Sequence, residues 1–200
     1  MMQTRDIGTI IVGTGPMWAE KTTWMISQLR KAELVGKRAI AISYDEDNRY
    51  SADSIATHSG LIYKEVDVWK MNEINHADCN RIAAEYDFVA IDEGQFFKDI
   101  NDSAVYLSKL GCDVVITCLS GTYDQQMFPE ICKLLPHADK IHHFRAICME
   151  CKKNKAPFTI RIDKSNKSQK DIGGKDKYKA ICGQCLRGAP SAAHVPDSPV

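Results

Sequence analysis

The sequence predicts an α/β fold of the phosphate-loop type: a parallel sheet with helices on both faces, plus a small second module held by cysteines. Three observations predict it. Short β-branched runs alternate with helix-like segments along residues 1–145. The first run enters a glycine loop that ends in Lys-Thr. Two Cys-x-x-Cys pairs bracket a lysine-rich stretch further on.

The elements follow in order. Thr9–Gly13 (TIIVG) reads as the first strand, and Met25, Leu29 and Ala32 follow its loop at helical spacing. Arg38–Ser43 (RAIAIS), Phe88–Asp92 (FVAID) and Asp113–Leu119 (DVVITCL) read as further buried strands. Helices are expected through Ile74–Ala84 and across Ala104–Leu110. Strands that are apolar on both faces and separated by helices form parallel sheets covered on both sides. Tyr44–Gly60 is polar and without period, so a long mobile loop is expected there. From about residue 145 the chain turns lysine-rich and short of core residues, too short to fold by apolar burial alone. The expected division is therefore a phosphate-loop domain over 1–145, a metal-binding module over 146–187, and a disordered, Pro-rich tail over 188–200.

Composition sets the outer bounds. With 26 basic and 26 acidic residues the net charge is zero, so bulk electrostatics favours neither nucleic acid nor a membrane surface as partner. No apolar run approaches the roughly 18–20 residues that span a bilayer, and MMQTRDIG carries no signal-peptide core. A cytoplasmic location is the expectation. In a reducing compartment the eight cysteines are buried thiols or metal ligands sooner than disulfides.

Four of them are spaced as ligands. Cys148-x2-Cys151 and Cys182-x2-Cys185 offer four thiolates for a closed tetrahedral zinc site, with paired disulfides or free thiols as the alternatives. A closed site leaves no open position, so such a zinc is structural. Cys79, Cys112, Cys118 and Cys132 fall in core-like or helical positions and read as buried thiols. His142 and His143 read as strand surface.

The stretch GTGPMWAEKTTW comes close to G-x-x-x-x-G-K-[ST]. Gly15 supplies the first glycine, and Lys21 and Thr22 supply the ending, but Glu20 stands at the second glycine position. Such loops converge backbone N–H groups on an anion at a helix N-terminus, while the lysine neutralises phosphate charge and the hydroxyl holds Mg²⁺. FVAIDEGQFF adds a strand that ends in acid. Asp92 suits the metal, and Glu93 is placed to act as a general base on an acceptor hydroxyl. Solvation of a strand end is the plainer reading of the Asp-Glu pair taken alone.

Over roughly residues 7–187 the chain resembles the type II thymidine kinases of cells and DNA viruses. The resemblance rests on GPMWAEKTT, DNRYS followed by THSG, IDEGQFF, LSGTYDQQMF, CMEC, IGGKDKY and CGQC, in that order. It implies an ATP-dependent thymidine kinase with Mg²⁺ and structural Zn²⁺, assembled as a homotetramer. Gly15, Pro16, Met17, Trp18, Ala19, Glu20, Lys21 and Thr22 would hold the ATP phosphates, with Asp47 and Asp92 beside them. Arg49 would stabilise charge on the transferring group, and Glu93 would accept the 5′-hydroxyl proton of thymidine. Met17, Phe96, Leu119, Tyr123, Phe128, Thr159, Ile172 and Tyr178 would line the nucleoside pocket, with IGGKDKY closing over the base as a lasso anchored by the zinc.

Departures from the family pattern cluster near the phosphates. Glu20 replaces glycine, Ser43 and Glu46 stand where lysines are usual, and Asp124, Gln125 and Gln126 make a less basic hairpin. A carboxylate about 5 Å from one phosphate charge, at an effective dielectric of about 20, is repelled by roughly 3 kcal/mol. A glycine-favouring backbone there adds about 1 kcal/mol. Two readings stay open at this stage: a working kinase, and a catalytically silent paralogue kept as a structural or regulatory subunit.

Overall fold

The computed structural model describes residues 5–45, 55–56, 62–162 and 177–188. Along the chain these are β1 (Ile10–Gly15), α1 (Lys21–Leu34), β2 (Ala39–Tyr44), β3 (Ile55–Ala56), β4 (Ile62–Tyr63), β5 (Asp67–Met71), α2 (His76–Glu85), β6 (Phe88–Ile91), α3 (Ile100–Lys109), β7 (Asp113–Leu119), α4 (Pro129–Leu134) and β8 (Lys140–His143). The second module carries β9 (Ala146–Ile147), β10 (Lys155–Ala156), β11 (Phe158–Arg161), β12 (Tyr178–Ile181) and the single turn α5 (Gly183–Leu186).

Six strands make one sheet in the order β5-β2-β6-β7-β1-β8, and every neighbouring pair is parallel. The period of two along each strand divides its side chains between two cores. Ile40 and Ile42 of β2, Val89 and Ile91 of β6, and Val114 and Ile116 of β7 face one cluster with Ile82, Leu107 and Leu134 of the covering helices. Ala39, Ala41, Phe88, Ala90 and Val115 face the other, against Met25, Ile26, Leu29 and Ala32 of α1. Large aliphatics on one face and alanines on the other let α1 lie close to the sheet. Each large side chain fully buried in this way contributes about 1.5–3 kcal/mol.

The class is the one the sequence predicts, and two edge strands extend it. β5 and β8 lie at opposite borders of the sheet and are half exposed. Edge strands need no continuous apolar run, which is why DVWKM and KIHH carry little strand signal. Within the expected polar loop, Ile55–Ala56 forms an antiparallel ladder with Ile62–Tyr63. The remainder of that loop, with Glu46, Asp47 and Arg49, lies outside the described residues, as do Ile172 and most of the expected lasso. Helix α2 starts two residues later than expected because Asn75 caps it: its side chain accepts from the Ala77 and Asp78 amides, and Asp78 returns a bond to the Asn75 amide. Helix α3 starts earlier, at Ile100.

The C-terminal module is joined to the phosphate loop. Its apolar cluster comprises Ala146, Cys148, Ala156, Ala180, Ile181 and Cys182, completed by Ala19 and the half-buried Trp18 from the loop after β1.

Candidate active site

The site forms at the carboxyl ends of β1, β6 and β7, where side-by-side strands deliver their following loops to one edge of the sheet. Strand β1 passes through Gly15, where an added Cβ would lie 2.8 Å from the Phe144 carbonyl oxygen. Only glycine allows that approach. The loop then adopts the left-handed region twice without glycine, at Trp18 (φ 65) and Glu20 (φ 58). Each such residue is strained by about 1–2 kcal/mol, a pattern that collects at functional loops. Glu20 is the residue before α1 and its side chain makes no capping bond. The positive end of the helix dipole stands at this turn, a setting that favours an anion.

Lys21 is buried and donates from Nζ to the Pro16 carbonyl at 2.8 Å, so the loop folds around its own lysine. Thr22 Oγ1 donates to Asp92 Oδ2 at 3.0 Å. This bond joins the start of α1 to the end of β6. Asp92 is 2% exposed. It also accepts from the Thr117 hydroxyl of β7 and, at 3.0 Å, from the Glu93 amide. Hydroxyl and carboxylate oxygens together are the donor set that suits a hard divalent cation.

Glu93 sits in the left-handed region (φ 54) just before a short 3₁₀ turn over Gly94–Phe96. Its Oε2 accepts from Gln95 Nε2 at 2.5 Å, and Gln95 Oε1 accepts from the Leu119 amide at 3.0 Å. Cys118 lies under this edge. Burial pushes its thiol up to about 11, against the opposing pull of the Thr14 hydrogen bond and Lys21. It is a neutral packing group at physiological pH, as are Cys79 and Cys112, which burial raises to about 12 and about 11.

The residues expected to line the nucleoside pocket are drawn from distant elements. The Met17 amide donates to Thr159 Oγ1 of β11 at 3.0 Å. Arg161, which the sequence did not mark, lies over the Tyr123 ring at 5.4 Å and the Tyr178 ring at 5.6 Å. Phe96 packs 5.3 Å from Tyr44 between ring centroids. Phe96 and Phe128 also pack against the main core, so both carry a packing role whatever else they do. Leu119 is half buried at the end of β7.

The four module cysteines come together as their spacing predicts: the sulfurs of Cys148, Cys151, Cys182 and Cys185 all lie within 4.8 Å of one another. Cys151 and Cys182 sulfurs are 3.9 Å apart. Tetrahedral zinc with Zn–S of about 2.3 Å sets its sulfurs about 3.8 Å apart, so the cage has the right size. Burial pushes the Cys148 thiol up, but the backbone amides of Cys151, Cys182 and Glu150 outweigh it and bring the thiol down to about 6. Cys185 is pushed up to about 12, chiefly by its hydrogen bond with Cys182. Four adjacent sulfurs need a cation to become thiolates together.

Among the adverse substitutions, Glu20 is exposed, and so are Asp124, Gln125 and Gln126. Exposure is the condition under which the expected repulsion at Glu20 is weakened, because water and salt screen a surface charge. The backbone part of the expectation holds, since Glu20 does occupy the glycine-favouring region. Ser43 is buried in β2, paired in register with Lys70 of β5.

A parallel sheet, a lysine-bearing loop entering a helix and an acid at the end of β6, one strand removed from β1, fit the phosphate-loop class of nucleotide-binding proteins. Comparison with known proteins narrows the class. A family model described as thymidine kinase matches residues 8–186. The chain is 34% identical over 187 residues to a thymidine kinase of Acanthamoeba polyphaga mimivirus, covering 90% of this chain and 81% of that protein. It is 35% identical over 178 residues to the thymidine kinase of Yaba monkey tumor virus, covering 89% and 94%. With thymidine kinase 1 of Dictyostelium discoideum it shares 32% identity over 189 residues, covering 92% and 80%. This chain belongs to the thymidine kinase family, whose members are ATP-using phosphotransferases. No helix among the described residues is long and apolar enough to cross a membrane.

Proposed function

We propose that this protein transfers the γ-phosphoryl group of ATP to the 5′-hydroxyl of thymidine. The carrying observation is the Thr22–Asp92 bond at 3.0 Å, which ties the loop hydroxyl at the start of α1 to the acid that follows β6. The first-turn amides of α1 bind the phosphates, and Lys21 neutralises them from its seat inside the loop. The Thr22 hydroxyl and Asp92 would hold Mg²⁺, which would supply positive charge to the phosphates. Glu93 takes the proton of the attacking hydroxyl. Asp47 and Arg49 serve the transferring group, and Met17, Phe96, Leu119, Tyr123, Phe128, Thr159, Ile172 and Tyr178 hold the nucleoside, by family resemblance.

Structural zinc in the Cys148, Cys151, Cys182 and Cys185 cage staples the module that carries Thr159, Arg161 and Tyr178. A cytoplasmic homotetramer completes the proposal. The half-exposed edge strand β8, with Ile141 48% exposed, supports an assembly, and sedimentation velocity measures it.

The test is turnover of ATP and thymidine to ADP and thymidine monophosphate by the metal-replete protein. Glu93→Gln should lower kcat by about 10²–10⁴-fold while leaving thymidine affinity nearly intact. No turnover in the unaltered protein would overturn the proposal. Unchanged turnover in the variant would remove Glu93 from its role.

A further inference from the structure

We propose that Gln95 is a positioning residue for the carboxylate of Glu93, fixing it across the strand ends of β6 and β7. The inference rests on the role proposed for Glu93. Gln95 is one of few buried polar side chains, 9% exposed, and both ends of its amide are used. The Leu119 N–H can only donate, so the oxygen Oε1 faces β7 and the amide nitrogen faces Glu93. The amide orientation is therefore dictated by the backbone.

The short turn between the two residues is held rigidly. The Phe96 amide donates to the Glu93 carbonyl at 3.0 Å. Gly94 is pressed on β7, where an added Cβ would lie 2.6 Å from Ile116 Cγ2. Glu93 itself is in a strained left-handed conformation. A strained residue needs surroundings that over-determine it, and Gln95 supplies one of those bonds.

One consequence follows for the carboxylate: with Oε2 held by the amide, its orientation is fixed relative to the strand ends. Gln95 touches neither phosphate nor nucleoside in this role; it acts through Glu93.

The experiment is a double-mutant cycle on turnover. Gln95→Met keeps length and removes both bonds, and Gln95→Glu keeps the shape and sets a second carboxylate beside the first. Either should lower kcat about tenfold or more, the cost of one hydrogen bond to a charged group, while the KM for ATP stays within twofold. Placed in Glu93→Gln, the same changes should cost less than about twofold more, because Gln95 acts only through that carboxylate. Losses that add in the double variants, or unchanged kcat in the single ones, overturn the proposal. No turnover in the unaltered protein overturns the kinase assignment and this proposal with it, an outcome distinct from additive losses. Should Gln95→Met fail to fold, the cycle with Gln95→Glu decides.

Discussion

The amide of Met17 donates to the hydroxyl of Thr159 at 3.0 Å, across a sequence separation of 142 residues. One end of this bond belongs to the phosphate loop, and the other to a strand of the four-cysteine module. Next to it, Ala19 and Trp18 complete the module's apolar cluster. The loop after β1 and the four-cysteine cage are thereby parts of one packed unit.

Metal removal is therefore expected to reach the phosphate loop. In protein stripped of zinc by a chelator, hydrogen exchange should accelerate at residues 15–22 as well as at 146–162 and 177–187, while β6 and β7 stay protected. By linkage, ATP affinity should fall with the metal and return on reloading. Thr159→Val, with the metal in place, should weaken ATP binding by up to about tenfold, the worth of one buried hydrogen bond. Faster exchange confined to the module would show that loop and cage are independent.

Glu20→Gly isolates the strain from the charge. Because the residue is exposed yet sits at φ 58, glycine should raise stability by up to about 1 kcal/mol. ATP affinity should change by less than about threefold, since a screened surface carboxylate repels little. Thermal melts and calorimetry read the two effects separately. A gain of two orders of magnitude in affinity would mean that the carboxylate lies against the phosphates after all.

Thymidine affinity should depend on the aromatic wall. Tyr178→Ala and Phe96→Ala are each expected to weaken nucleoside binding. Arg161→Met should weaken it several-fold by releasing the guanidinium from the Tyr123 and Tyr178 rings, contacts worth about 0.5–2 kcal/mol. Equilibrium binding without ATP checks all three. If none of them matters, the pocket lies elsewhere on this edge.

Acid stability should trace to the opposite end of the sheet. Asp87 takes two bonds from the Arg38 guanidinium, at 3.0 and 3.1 Å, and lies 3.0 Å from Arg5. The Arg38 hydrogen bond holds its carboxyl below the usual range, with burial opposing. A depressed folded value stabilises the protein above the unfolded value of about 3.9, and that contribution fades as pH falls through the folded value. Asp87→Asn should lower stability at neutral pH and flatten the loss of stability below about pH 4. Urea titrations between pH 2 and 7 would show it, and parallel curves for variant and unaltered protein would exclude the pair as a cause.

Much of this was legible in the sequence, for physical reasons that also explain what was not. Lys21, Thr22, Asp92 and the four cysteines stand in contiguous motifs whose chemistry needs those residues at those intervals. The buried strands β2, β6 and β7 announce themselves by being apolar on both faces. Thr117 and Arg161 left no trace, because each acts on a partner 17 or more positions away: Thr117 on Asp92, Arg161 on Tyr178. Gln95 stands inside IDEGQFF, but the far half of its bridge, to Leu119, is 24 positions away and outside the motif. Ala19 enters the sequence reading only as part of the phosphate loop, and its place in a cluster with Cys148 and Cys182 depends on the fold. The charge of Glu20 was legible, but its exposure depends on a backbone turn that the motif alone does not describe.

The shared cluster of Ala19, Trp18 and the module cysteines carries a lesson for exchange between relatives. A cysteine-bearing segment transplanted from a viral cousin would arrive with its own surface for the loop, and would meet this chain's Trp18 and Ala19 as strangers. Chimaeras should therefore fold and work best when residues 16–20 travel with 146–187.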